Sequence, residues 1–378
     1  MERQKTTFRP SHPIPAIAVG IFLCVCILYA RTVCYGALRD DVVFLDKLRA
    51  VSGNVLGDAT YYRPLGALSV AIWPSASVQH AVNVLLHAAN SVLVFALSRA
   101  LMPRVAANDV AGLWTAALAA LVFAVNPADV QAVAMISGRY DTLMLFWVLL
   151  CILAVVRAPF DVSPRNLLTV MLLFFAALCS QEAAVGLLAA LPLVLLLEFR
   201  LRRGEMKEVS QALVVRRWLL VLLLATIAYV ALRAVVAPGF MVNEFGIGVQ
   251  KNTLKVICVF AVLIVFAAKG CNEAWAELAN VALAGLATIA MALTALLFGG
   301  THDGGSNFSY SYALAPLALL TSTLGAVTGT WWAQHRNDPP EEDSPWADEL
   351  TFGDVLIWGF LLVIPFAVKT YMTVQKLA

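Results

Sequence analysis

The chain has 378 residues, 61% of them hydrophobic and 13% charged, with a mean hydropathy of +0.81. A soluble domain of this length would leave much of that apolar surface in water, so the composition excludes a soluble globular protein and points to an all-α, polytopic integral membrane protein. A formal net charge of +2, with no basic run interleaved with aromatics and no Gly-rich loop after a strand pattern, argues against nucleic acid as a partner.

Apolar runs near the spanning length of roughly 20 residues fall at 13–35, 80–101, 111–126, 141–157, 166–180, 183–199, 217–237, 253–269, 276–298, 311–333 and 352–374. They predict about eleven transmembrane helices in one membrane domain over 1–378, with the two termini on opposite sides. The first run lacks a small-x-small cleavage pattern and reads as a retained helix rather than a signal peptide. With the N-terminus in the cytoplasm, more than half of the 26 Lys and Arg fall in inner connections, the densest being the basic loop 199–217. The outer side then carries the loop 36–79, the connections around 126–141 and 180–182, and the end of the seventh helix at Arg233.

The outer connections hold the chemistry-bearing residues. Asp40 and Asp41 follow the first helix, and the residues after them predict a short amphipathic helix over Val42–Val51 lying in the membrane interface. The pair could cap that helix, since carboxylates gain from a helix N-terminus. Asn126-Pro127-Ala128-Asp129 has an equally local reading, with Asn126 as cap, Pro127 first in the helix and Asp129 at the capping-box position. Glu182 and Asp141 suit first turns in the same way. Against these local readings stands their convergence: charged groups near membrane depth are costly unless paired or lining a wet cavity. On the second helix, His80, Asn83, His87 and Asn90 form one polar stripe, better suited to bonding between helices than to holding a metal. Arg63, Arg139 and Arg233 are anion-binder candidates, because guanidinium groups grip phosphate bidentately. The seven cysteines lack zinc-ligand spacing and read as small apolar residues.

The ordered series Asp40-Asp41, Tyr62-Arg63-Pro64-Leu65, His80-x-x-Asn83-x-x-x-His87, Asn126-Pro127-x-Asp129-x-Gln131-Ala132-Val133, Ser137-Gly138-Arg139-x-Asp141 and Ser180-Gln181-Glu182 resembles the transmembrane and tetratricopeptide-repeat O-mannosyltransferases and their bacterial relatives. These are polyprenyl-phosphate-sugar-dependent glycosyltransferases of the GT-C class. The resemblance covers roughly residues 35–200 and extends to Arg233. It departs where the family has His-Pro for Asn126-Pro127 and Lys-Glu for Gln181-Glu182, and the tetratricopeptide repeats are absent from the sequence.

The resemblance implies a GT-C-like fold with its active site on the periplasmic or lumenal face. It also implies a polyprenyl-phosphate-linked sugar donor, surrounding membrane lipid, and a protein or glycan acceptor. On that reading Asp40 or Asp41 is the general base that takes the acceptor's proton, with Asp129 as a partner from the second loop. Arg63, Arg139 and Arg233 would stabilise the departing lipid phosphate. Tyr62, His80, Asp141, Gln181 and Glu182 are supporting residues. Asp40, Asp41 and Asp129 also offer oxygen ligands for Mg²⁺ or Mn²⁺, although related transferases include metal-independent ones. A bacterial inner membrane is favoured over an endoplasmic reticulum membrane. A lipid-linked-sugar transporter and a non-catalytic assembly subunit are the competing readings.

Overall fold

In the computed structural model, residues 13–38, 41–42, 45–46, 62–73, 75–202, 211–236, 273–298, 314–335 and 352–376 are described, and among them every regular element is helical. Helix α1 (Pro13–Tyr29) runs into a 3-10 turn at Ala30–Cys34. Next come α2 (Pro64–Ala71), α3 (Ala76–Leu101), α4 (Arg104–Asn108), α5 (Val110–Ala124), a 3-10 turn at Pro127–Asp129 and α6 (Val130–Ala134). Then follow α7 (Arg139–Arg157), α8 (Pro164–Ser180), a 3-10 turn at Glu182–Gly186, α9 (Leu187–Leu201) and α10 (Gln211–Val236). The last three helices are α11 (Glu273–Phe298), α12 (Leu314–His335) and α13 (Phe352–Lys376).

Helices occupy the expected apolar runs except 253–269, which lies outside the described residues together with most of the expected interfacial helix; of the latter, Asp41, Val42, Leu45 and Asp46 are helical. By length and composition, five of the described helical segments can cross a membrane. A sixth is added if α5 and the 127–134 segment, bent by 42° at Val125-Asn126, count as one broken span. Leu23, Ile27, Leu220, Leu224, Ile227 and Val235 are exposed on α1 and α10, as lipid-facing surfaces of a multi-pass protein require.

Helix α3 is the central strut. It packs against α1, α5, α7 and α12, and its predicted polar stripe is wholly buried. Each stripe residue meets a backbone oxygen on another segment. His80 Nε2 meets Gly36 O at 3.0 Å and Asn83 Nδ2 donates to Met135 O. His87 Nε2 meets Ala124 O at 3.2 Å, and Asn90 Nδ2 donates to Thr142 O at 2.9 Å. Ala124 and Met135 lie at the ends of α5 and α6, where helices leave carbonyls without intrahelical donors. The stripe therefore satisfies polar groups that the breaks in neighbouring helices create, in a medium without water to do so.

The bundle has two chemically distinct ends. At one, Arg202 on the α9 terminus donates to Ala100 O and Met102 O at the end of α3, while Glu198 pairs with Arg202 at 3.2 Å. Arg99 donates to Ala107 O at 3.0 Å, and Arg200 to Asn280 Oδ1 at 2.9 Å. The expected basic loop 199–217 starts at this end; its residues 203–210 lie outside the described residues. At the other end the acidic motifs gather.

Helix α12 reaches the core through Gly325 and Gly329, four residues apart and so on one face. A Cβ at Gly325 would come within 2.6 Å of Ser98 Oγ and 2.7 Å of Ala119 Cβ; one at Gly329 would meet Thr115 Oγ1 at 2.6 Å. This small-residue spacing is how helices approach closely where lipid gives no hydrophobic drive to association. Replacing Gly325 by Leu is expected to force α12 away from α3 and α5, a loss of about 1–3 kcal/mol typical of overpacking. Thermal unfolding in nanodiscs should show a lowered midpoint for Gly325→Leu and a smaller loss for Gly325→Ala.

Candidate active site at the acidic end of the bundle

Asp41 is fully buried and clamps two segments of chain. Its carboxylate accepts the Ile136 and Ser137 N–H groups, each at 2.9 Å, and the Leu38 N–H at 3.3 Å. It thus ties the first loop to the turn between α6 and α7 rather than merely capping its own helix. Asp40 lies outside the described residues. The turn itself demands glycine: a Cβ on Gly138 would sit 2.1 Å from the Ala132 carbonyl oxygen, a backbone atom that cannot yield cheaply.

Arg139, the next residue, has no exposed surface. Its Nε donates to Asn83 Oδ1, Nη1 to Ser69 O at 3.1 Å, and Nη2 to Gln79 O at 2.6 Å and Gln79 Oε1 at 3.2 Å. Gln79 in turn donates to the Val70 and Trp73 carbonyls at the end of α2. The expectation for Arg139 was phosphate binding. The structure instead commits its fork to protein oxygens on α2 and α3, because the start of α7 is packed beneath both.

The second charged group is an ion triad. Glu182 Oε2 accepts Arg63 Nε at 2.6 Å, and Glu182 Oε1 accepts Arg233 Nη1 at 3.0 Å. Two guanidinium groups share one carboxylate at a largely buried location. Arg63 also lies over the Tyr140 ring, 5.6 Å from its centroid. Tyr229 donates to Tyr62 O at 2.8 Å and packs on the Tyr62 ring, so α10 holds the residue preceding Arg63. Burial pushes the Tyr62 phenol up, with the Cys179 thiol adding to the rise, and keeps it a neutral hydroxyl.

The local reason for this geometry is the break at Gln181. Its backbone is extended, stopping α8 and aiming Glu182 across the bundle. Gln181 is buried and, among the described residues, its Oε1 has no hydrogen-bond partner. Helix α2 seats against this break because Gly66 carries no side chain: a Cβ there would collide with Tyr140 and approach Ser180 O at 3.1 Å.

The third group surrounds Asp129. Asn126 caps the 3-10 turn as expected, accepting the Ala128 N–H at 2.9 Å, with Pro127 following it. Asp129, however, does not complete a capping box. It is fully buried and, among the described residues, neither carboxylate oxygen has a hydrogen-bond partner. An unpaired buried carboxylate is expensive and marks a functional position by default.

His80 holds the Gly36 carbonyl and stacks edge-on against Tyr35, and so braces the first loop. Tyr35 donates to Val374 O at 2.5 Å and Thr370 to Val125 O at 2.7 Å, so α13 is latched to both loops; no sequence signal had assigned α13 a part in the site. Asp141 is nearly buried in the first turn of α7. Among the described residues no three His, Cys, Asp or Glu side chains converge to hold a metal ion. Of the expected metal-ligand set, Asp41 spends its carboxylate on backbone N–H groups and Asp40 lies outside the described residues. An apolar groove of about 630 Å³ runs between α1 and α13, lined by residues including Leu23, Cys24, Leu28, Val125 and Tyr371.

No protein-family profile matches the chain. Over 110 residues, 29% of its length, it is 36% identical to the Protein O-mannosyl-transferase Tmtc1 of Drosophila melanogaster. The chain spans only 12% of that protein's length. The similarity is partial and distant, and is consistent with a membrane glycosyltransferase.

Replacing Arg139 by Lys is expected to destabilise the fold by about 3 kcal/mol, since a point charge cannot serve acceptors on two helices and buried polar groups are left unpaired. Arg165→Lys, at an exposed position, should leave the unfolding midpoint within error. Equal midpoints for the two variants would refute the assigned role of Arg139.

Proposed function

We propose that the protein is a membrane glycosyltransferase that moves a sugar from a polyprenyl-phosphate carrier to an acceptor hydroxyl. The observation that carries this reading is the Arg63–Glu182–Arg233 triad, at the same end of the bundle as the buried Asp129. A leaving group that departs as a lipid phosphate gains negative charge, and a preorganised cationic group in a water-poor site stabilises that charge. Glu182 orients both guanidinium groups and prevents their mutual repulsion from splaying them. The partial similarity to a protein O-mannosyl-transferase supports the same chemistry.

The roles divide accordingly. Arg63 and Arg233 bind the phosphate. Asp129 or Asp40 takes the acceptor's proton as general base in a single inverting displacement. Asp41 and Arg139 are positioning residues that fix the turn at Ile136–Gly138. The groove between α1 and α13, lined in part by Val125 of the segment that leads into the Asp129 turn, receives the carrier's hydrocarbon chain from the bilayer. The positive-inside distribution supports a periplasmic or lumenal face for the acidic end. We read the eleven apolar runs as membrane spans of a GT-C-like fold.

The test is transfer or hydrolysis of polyprenyl-phosphate-linked hexoses by the purified protein in nanodiscs. Arg233→Met is expected to lower kcat by roughly 10²–10³, the usual cost of losing one transition-state charge partner, with a smaller change in KM. Asp129→Asn should fall at least as far. Unchanged turnover in both variants would sink the site assignment. Flipping of the intact lipid-linked sugar without transfer would replace this reading with a transporter.

A further inference from the structure

A carboxyl with no exposed surface, as Asp129 has, meets a substrate only if something over it moves. The turn that carries it, Pro127–Asp129, packs against α13, and so do α5 before it and α6 after it. On α13, Val363, Phe366, Ala367, Thr370 and Val374 recur at helical spacing and turn inward, while Ile364, Val368, Tyr371 and Met372 are exposed. The apolar members of the inward stripe join Val125, Val130 and Val133, which flank Asp129 in the chain, in one cluster. Helix α13 is therefore the cover over the Asp129 turn.

The cover is held by few polar bonds. Among the described residues two hydrogen bonds tie α13 to the rest of the protein: Thr370 Oγ1 donates to Val125 O at 2.7 Å, and Tyr35 Oη donates to Val374 O at 2.5 Å. Both acceptors are carbonyls that a helix end leaves over, Val125 where α5 stops and Val374 in the last turn of α13. Either bond can break without opening a rung of a helix. Both also lie on the C-terminal side of Pro365, which sits inside α13 and has no N–H to offer the Leu361 carbonyl. A proline at mid-helix is where a helix bends. Beyond it, Ala367, Val368 and Tyr371 form one wall of the apolar groove, so the gap between α1 and α13 already runs along this edge of the cover.

We propose that the part of α13 after Pro365 is a side gate. It swings off the Asp129 turn toward the bilayer, with Pro365 as its hinge and the Thr370 and Tyr35 bonds as its latch. Opening carries Thr370 and Val374 away from the turn and widens the groove, so a molecule in the membrane reaches Asp129 without passing through water. What enters, the lipid-linked sugar, is the only element of the proposal that rests on the transferase reading.

Dicyclohexylcarbodiimide, an apolar reagent that adds to protonated carboxyls inside membranes, probes the gate on the purified protein in nanodiscs with no sugar donor present. Mass spectrometry reads the adduct at each carboxyl. Labelling of Asp129 is expected to follow the open population. Thr370→Val and Tyr35→Phe keep the side-chain shape and remove a latch donor, and each should raise the Asp129 rate about fivefold, the population change for one lost hydrogen bond. Pro365→Ala, which restores the helix bond at the hinge, should slow it. Glu198, fully buried at the opposite end, is the control. An Asp129 rate unchanged in both latch variants, zero included, would overturn the gate. So would an equal rise at Glu198, which means that the whole bundle has loosened, or a Pro365→Ala rate equal to wild type. A failed transfer assay leaves the labelling result standing, and labelling indifferent to the latch strikes the gate without touching the roles of Arg63 and Arg233.

Discussion

A guanidinium buried at the start of a membrane helix is costly unless its N–H groups find acceptors, and Arg139 directs four bonds to neutral oxygens. Two come from one glutamine, one from an asparagine of the polar stripe, and one from the backbone of α2. The consequence is geometric. Each acceptor can be in place only if α2, α3 and α7 have one mutual arrangement, so the site end of the bundle is specified by a polar knot and not by apolar packing alone. Gly66 and Gly138 belong to the same constraint, since each permits a backbone approach that any side chain would block.

The carboxylates of the motifs divide by whether the protein answers them. Asp41 is met by backbone N–H groups and Glu182 by two arginines. Asp129 is met by nothing in the protein among the described residues. Similar residue types thus serve three purposes within one end of one bundle: a tether between loops, the hub of an ion triad, and an unsatisfied group held ready for a partner from outside. Environment, not residue type, assigns these roles.

Much of the helical layout was legible in the sequence, because apolar runs bounded by charges leave little choice in lipid. The polar stripe on α3 was legible for the same reason, and its bonding to other segments follows from its period. Asn126 and Pro127 announced the turn they make. The occupation of Arg139 was not legible, since an Arg in a Ser-Gly-Arg motif looks the same whether it faces a phosphate or a carbonyl. The isolation of Asp129 was equally hidden: its spacing from Asn126 fits a cap, and only burial shows that it is not one. Gly325-x-x-x-Gly329 was a readable signal for close helix contact that hydropathy alone passes over.

The break at Gln181 and the bend after Ala124 have a further consequence, one of depth. Helix α8 has 17 residues and α5 has 15, and at a rise of 1.5 Å per residue they extend about 26 Å and about 22 Å. Both fall short of a hydrocarbon thickness near 30 Å. A helix of that length entering from one surface of the hydrocarbon turns polar before it reaches the opposite headgroups, which on the proposed reading sets the turns that carry Glu182 and Asp129 in a recess below the lipid surface. A soluble molecule would have to descend to reach them. On the transferase reading, a donor anchored in the bilayer by a hydrocarbon tail would bring its polar head to that level by moving sideways through the membrane.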